Sequence, residues 1–362
     1  MFFNYFLCNF PLGLFIKNFR IMRQAIMLSP GEIKFNEVPE PQELKPDEIL
    51  LKIKRIGVCG SDIHVYHGQH PATSYPVVQG HEYSAVVEAV GNRVRKVSPG
   101  MRATARPQLV CGKCGPCRRG KYNACQNLKV QGFQAPGVAQ DLFVVPEDRI
   151  VVFPESMTFD QGALIEPAAV GAHSTGRVTS LEGKNVVVSG AGTIGNFVAQ
   201  FAKARGAGKV LITDISDFRL DIARKCGIGN TLNVKENSFE KSIRSIFGDE
   251  GFQVGFEAAG VQSSLDVLLQ FVEKGGDIVI LGVYSRNPVV NMFYLGEHEL
   301  NVFGSMMYLH EDYETAVEMI ASGKIKTGPL ITRKFPFEKY PEAYKFIEQQ
   351  GDKTLKVLID VQ

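Results

Sequence analysis

Seven cysteines occur in the chain, and four of them, Cys111, Cys114, Cys117 and Cys125, crowd into fifteen residues. Two-residue gaps let consecutive thiolates turn back toward one point, and interleaved glycines permit the tight backbone of such a knuckle. Four sulfurs close a tetrahedral shell, so a zinc held there supports a loop and does no chemistry. Free thiols or two disulfides are the competing reading; the spacing suits a metal, and nothing convincing marks the chain as secreted.

A second set differs in kind. Cys59 stands in Gly57-Val58-Cys59-Gly60-Ser61-Asp62, and Gly80-His81-Glu82 follows twenty-two residues later. A thiolate, an imidazole and a carboxylate make a three-ligand set with room for water or a substrate oxygen, the mark of a working zinc. Singly, Cys59 reads as a core thiol, His81 as a satisfied buried histidine, and Glu82 as a carboxylate that only orients the histidine. Glu166, in Leu164-Ile165-Glu166-Pro167, is a fourth candidate, because an acid among apolar residues is costly to bury without a metal or its water as partner.

Gly190-Ala191-Gly192-Thr193-Ile194-Gly195 directly follows the apolar run Val186 to Val188 and opens a helical pattern. In that context Gly-x-Gly-x-x-Gly is a dinucleotide fingerprint, with the pyrophosphate on the helix N-terminus around Thr193 and Ile194. Asp214 ends the next strand, nineteen residues after Gly195. A carboxylate there accepts from ribose hydroxyls and repels a 2′-phosphate, favouring NAD over NADP. Arg219 is expected to pack over the adenine. The competing reading makes Asp214 a cap for the following turn.

These residues need two kinds of scaffold. Gln24 to Met27, Ile49 to Ile56 and Tyr83 to Val90 read as strands, with turns at Gly91-Asn92 and Val97 to Gly100; short strands continue through Val144 to Phe153. After Pro154 the pattern changes. Helical spacing runs from Phe159 to Val178, then strands (Asn185 to Val188, Lys209 to Thr213, Asn230 to Val234, Phe252 to Glu257, Gly276 to Gly282, Asn301 to Gly304) alternate with helices such as Ile194 to Ala204 and Phe218 to Lys225. This alternation predicts an α/β fold with a doubly wound parallel sheet. From Ser305 onward, two helices and a closing strand, Leu355 to Asp360, are expected to return to the first domain.

At 362 residues the chain is long enough for two domains. Forty basic against thirty-eight acidic residues, with no long basic run, argue against a nucleic-acid partner. Residues 1–21 are apolar and aromatic but interrupted by Asn4, Asn9 and Pro11, too short to span a bilayer, with Lys17, Arg20 and Arg23 after the apolar part. They read as a disordered or misannotated leader, with Met22 opening the fold.

Taken in order, Cys59-Gly60-Ser61-Asp62-Ile63-His64, Gly80-His81-Glu82, the four-cysteine lobe, Glu166-Pro167 and the glycine fingerprint resemble the medium-chain zinc-dependent alcohol dehydrogenases, over essentially Met22 to Gln362. The texture is most similar to the sorbitol and polyol, L-threonine 3-dehydrogenase and L-galactonate dehydrogenase branch. The resemblance implies a GroES-like β-rich catalytic domain (22–165), a Rossmann NAD-binding domain (166–304) and a returning segment (305–362). It implies two zinc ions per chain, NAD, a small-molecule alcohol substrate and a homodimer or homotetramer. Cys59, His81 and Glu82 match the catalytic zinc ligands, with Glu166 on the metal or its water; Ser61 matches the hydroxyl that takes the substrate proton, and His64 the histidine that relays it to solvent. His67 and His70 are expected to be loop residues, and Cys226 packing. One departure concerns substrate: sorbitol dehydrogenases tend to carry an Arg-Tyr pair after the last Rossmann strand, where the matching stretch here, Gly304-Ser305-Met306-Met307-Tyr308, has no arginine, which weakens sorbitol itself. The expected function is therefore cytoplasmic oxidation of a secondary alcohol in a polyol or sugar acid. An L-threonine 3-dehydrogenase is the alternative within enzymes, and a non-catalytic NAD-binding structural or sensor protein the alternative outside them; an intact proton relay argues against the latter.

Overall fold

The computed structural model describes residues 20–361, so the leader expectation falls, apart from its last two residues, outside the described residues. Strand Ile21–Ser29 begins one residue before Met22 and pairs antiparallel with Glu32–Pro39.

The first sheet has seven strands. Glu48–Val58, whose residues alternate as expected, lies near its centre, between Glu82–Val90 on one side and Lys356–Asp360 on the other. The closing strand thus pairs with a strand some three hundred positions earlier, and Phe337, Tyr340, Tyr344, Val357 and Ile359 pack into the same core as Ile49, Leu51 and Ile53.

The second sheet is parallel, in the order Asn230–Asn233, Val210–Asp214, Val186–Ser189, Phe252–Glu257, Val272–Ile280, Asn301–Gly304. Numbered by sequence this is 3-2-1-4-5-6, the doubly wound arrangement, whose switch point lies at the carboxyl end of Val186–Ser189. Both faces of the central strand are covered: Val186 and Val188 enter one core and Val187 the other, as the two-residue period of a strand demands. The chain therefore combines a GroES-like β-rich part with a Rossmann sheet, as expected.

Two details differ from the sequence reading. The helical stretch from Phe159 is broken at Leu164 into Phe159–Ala163 and Ile165–Thr175, leaving Val178 outside. Pro167 has no N–H to offer the Ala163 carbonyl, so the first helix cannot run on; in the first turn of the second helix the missing donor costs nothing. Strand Val272–Ile280 starts four residues ahead of Gly276, with a register irregularity against Phe252–Glu257.

Candidate active site

Cys59 follows the last residue of the central strand and caps the short helix Gly60–Tyr66, while Glu82 opens the neighbouring strand opposite Gly57. Strand pairing alone therefore brings the two motifs together. The ligand atoms of Cys59, His81 and Glu82 lie within 4.8 Å of one another, and His81 and Glu82 are buried. Glu166 stands outside this trio. It is buried at the start of Ile165–Thr175 and accepts a hydrogen bond from the Tyr308 hydroxyl. Burial pushes its carboxyl up to about 7; the Glu82 charge reinforces this, and His81, Tyr308 and Lys356 oppose it.

Three residues that the sequence reading left without a role support the trio. Asp62, buried, accepts from the Cys59 amide at 2.9 Å and faces His81 Nδ1 at 3.4 Å, an ion-pair approach rather than a formed hydrogen bond. Burial alone lowers the proton affinity of His81, but the Asp62 carboxylate and the Cys59 sulfur together outweigh it and raise the pKa well above the ordinary value. The same carboxylate orients the ring and makes its other nitrogen a better donor to a metal. Lys356, on the closing strand, donates to both Glu82 oxygens at 2.7 and 2.6 Å and to the Val58 carbonyl at 3.1 Å. Burial lowers its pKa, and Glu82 and Cys59 reverse that, so it remains an ammonium. Tyr308, the third, acts beside the trio, through its hydrogen bond to Glu166. A lysine inside the apolar run Leu355 to Ile359, and an aspartate one residue past Ser61, were the available signals.

Ser61 donates from Oγ to Cys59 Sγ at 3.1 Å. His64 follows one turn later on the same short helix, at the solvent surface. His70 lies in the loop after that helix, as expected, where its ring stacks on Phe133 at 4.7 Å and Phe133 tilts against His81 at 5.0 Å. His67 is exposed, beside Glu348, and Cys226 is buried in the core, as expected.

The four-cysteine lobe is assembled. All four sulfurs lie within 4.8 Å of one another, with separations of 3.3, 3.6 and 3.9 Å among neighbours. A tetrahedron with Zn–S of about 2.3 Å spaces its sulfurs about 3.8 Å apart, so the donor set fits zinc. The amides of Lys113 and Cys114 point at Cys111 and lower its thiol to about 6. The trio of one sulfur, one imidazole and one carboxylate fits a catalytic zinc on the same ground.

The glycine loop sits at the switch point. Gly190 has φ of 101°, and a Cβ at Gly195 would stand 1.8 Å from the Gly190 carbonyl, so neither position admits a side chain. Helix Thr193–Ala204 starts at Gly192 and aims the first-turn N–H groups of Thr193, Ile194 and Gly195 outward. Asp214 binds this loop as well as ending its strand: Oδ2 accepts from the Ala191 amide at 2.7 Å, and Oδ1 from Ile215 and Ser216 at 2.8 and 2.9 Å. Three backbone donors fill three of about four acceptor sites, leaving one on Oδ2 for a ribose hydroxyl. Arg219, on helix Asp217–Lys225, has a buried Nε without a partner.

The family model described as zinc-binding dehydrogenase matches residues 193–322, and the alcohol dehydrogenase GroES-like domain matches residues 45–155. Sorbitol dehydrogenase of Bacillus subtilis is 32% identical over 93% of this chain and 97% of its own. The 2-dehydro-3-deoxy-L-galactonate 5-dehydrogenase of Pseudoalteromonas atlantica is 32% identical over 90% of this chain and 96% of its own. Among solved structures, an alcohol dehydrogenase of Escherichia coli complexed with NADH is 30% identical, with a TM-score of 0.87 over 94% of this chain and 99% of the other. The chain belongs to the medium-chain, zinc-binding alcohol dehydrogenase family.

Proposed function

We propose that this protein is a zinc- and NAD-dependent dehydrogenase that oxidises a secondary alcohol of a polyol or sugar acid to the ketone. The observation that carries this reading is the convergence of Cys59, His81 and Glu82, one thiol, one imidazole and one carboxylate, beside the Ser61 hydroxyl.

Cys59, His81 and Glu82 would hold the catalytic metal, and Cys111, Cys114, Cys117 and Cys125 a structural one. Zinc, when bound, supplies Lewis acidity toward the alcohol oxygen, and NAD, when bound, accepts the hydride from the same carbon. Lys356 holds both Glu82 oxygens in place. Asp62 fixes the His81 ring. Ser61 Oγ takes the hydroxyl proton, and His64, exposed one turn away, passes it to water. Glu166 borders the site as a further carboxylate, oriented by Tyr308. The amides of Thr193, Ile194 and Gly195 would receive the pyrophosphate, Asp214 Oδ2 a ribose hydroxyl, and Arg219 would cover the adenine.

Among the described residues no helix is long and apolar enough to cross a membrane. Among the described residues the edge strand Asn301–Gly304 pairs on one side only and exposes Val302, an edge that fits a homodimer or homotetramer. The test is NADH formation by zinc-counted protein against polyols, aldonates and L-threonine. Turnover of a polyhydroxy substrate supports the reading, and turnover of L-threonine alone rejects its substrate class.

A further inference from the structure

The residues Met306 to His310 form a strap between the last parallel strand and helix His310–Ala321, and the four-cysteine lobe holds it from the side. Asn123 Nδ2 donates to the Met306 carbonyl at 2.8 Å, Gln108 Nε2 donates to the Tyr308 carbonyl at 2.9 Å, and the His310 amide donates to the Tyr122 hydroxyl. Tyr122 and Asn123 lie in the single turn that runs directly into Cys125, and Gln108 lies in the two-residue strand whose pairing with Lys129–Val130 closes the base of the lobe. Asn123 and Gln108 are both buried, at 8% and 1% exposure, so these bonds are shielded from competing water.

Between the two clamped carbonyls sits Met307 at φ of 48°. A residue with a Cβ is strained in that left-handed conformation and keeps it only where its surroundings impose it. The strap therefore has no intrinsic preference for its own shape. Its next residue, Tyr308, is fully buried and donates its hydroxyl to Glu166 Oε1. Releasing either clamp would let Met307 relax to negative φ and turn Tyr308 away from the carboxylate.

We propose that the four-cysteine lobe is a positioning element for the candidate active site, which acts through the Met306–His310 strap to seat Tyr308 on Glu166. Tyr308 is a positioning residue, and a metal held by the four cysteines would bear on the chemistry by fixing Asn123, Tyr122 and Gln108. The inference rests on the reading of Glu166 as part of a dehydrogenase site, but the strap itself is testable without turnover.

The experiment uses full-length protein carrying two zinc ions per chain, with Asn123→Ala and, as a second clamp variant of similar volume, Gln108→Met. Amide exchange should quicken about tenfold across 305–310 while Val210–Asp214 stays unchanged, because only local opening is affected. Turnover should fall about tenfold with the KM for NAD unaltered, and Asn123→Ala should cost less than about twofold in a Tyr308→Phe background, because the two substitutions break one linkage. Unchanged exchange in the strap, or losses that multiply in the double variant, would overturn the proposal. A wild-type protein inactive on every substrate would instead reject the dehydrogenase reading, and the exchange arm would still decide the strap.

Discussion

The Lys356 ammonium and the Glu82 carboxylate form a buried pair, 3% and 1% exposed, with contacts of 2.7 and 2.6 Å to the two carboxylate oxygens. The pair joins the closing strand to the strand that carries the candidate metal ligands, and it places a fixed positive charge beside any metal Glu82 would share. Removing one member of such a pair strands the other charge in a low-dielectric site.

Lys356→Met should therefore lower stability by about 3–5 kcal/mol in protein depleted of its catalytic metal. Added zinc should recover part of the loss by taking over the Glu82 charge. Denaturant unfolding with and without zinc reads both effects. Equal loss in the two conditions would separate Glu82 from the metal.

Glu166 offers a pH test in protein holding only the lobe zinc. Its folded-state value, raised to about 7, lies above the unfolded value of 4.5. The sign follows: the acid favours the folded state fully below the unfolded value, and that contribution is lost as pH rises through about 7. Glu166→Gln should then be nearly neutral at pH about 4.5 and stabilising by on the order of 2–3 kcal/mol at pH about 8.5. Thermal unfolding at the two pH values checks it; a difference independent of pH would contradict it.

Asp214→Ala should raise the KM for NAD by about tenfold, through loss of the ribose acceptor and of the Ala191 tether. If Arg219 turns toward the vacated corner, the ratio of NADP to NAD efficiency rises. Unchanged affinity for both cofactors would leave Asp214 as a cap for the loop alone.

Much of this site was legible because its residues are set by local rules. The cysteine spacing, the glycine fingerprint and the strand periods each depend on neighbours a few positions away, and the structure brings those groups together as expected. Lys356, Asp62 and Tyr308 were not legible in the same way. Lys356 and Tyr308 act through partners far along the chain, 274 positions from Glu82 and 142 from Glu166, and Asp62 faces His81 from a helix that the sequence pattern does not pair with it. Only strand pairing between Glu48–Val58 and Lys356–Asp360 brings the first pair together. Asp214 binds the turn that its sequence context offered and keeps an acceptor site for the ribose hydroxyl proposed above, because a carboxylate has enough acceptor sites for both. The break at Leu164 is a local feature that periodicity overlooked, since hydrophobic spacing continues through it while the backbone donor at Pro167 does not.

The most direct measurement is of Cys59→Ala beside the wild-type protein, with zinc counted per chain and NADH formation followed on polyols and aldonates. Two zinc ions and turnover for the wild type, against one zinc and none for the variant, are the predicted results. Turnover retained by Cys59→Ala would contradict the assignment of Cys59, His81 and Glu82 as the catalytic metal site.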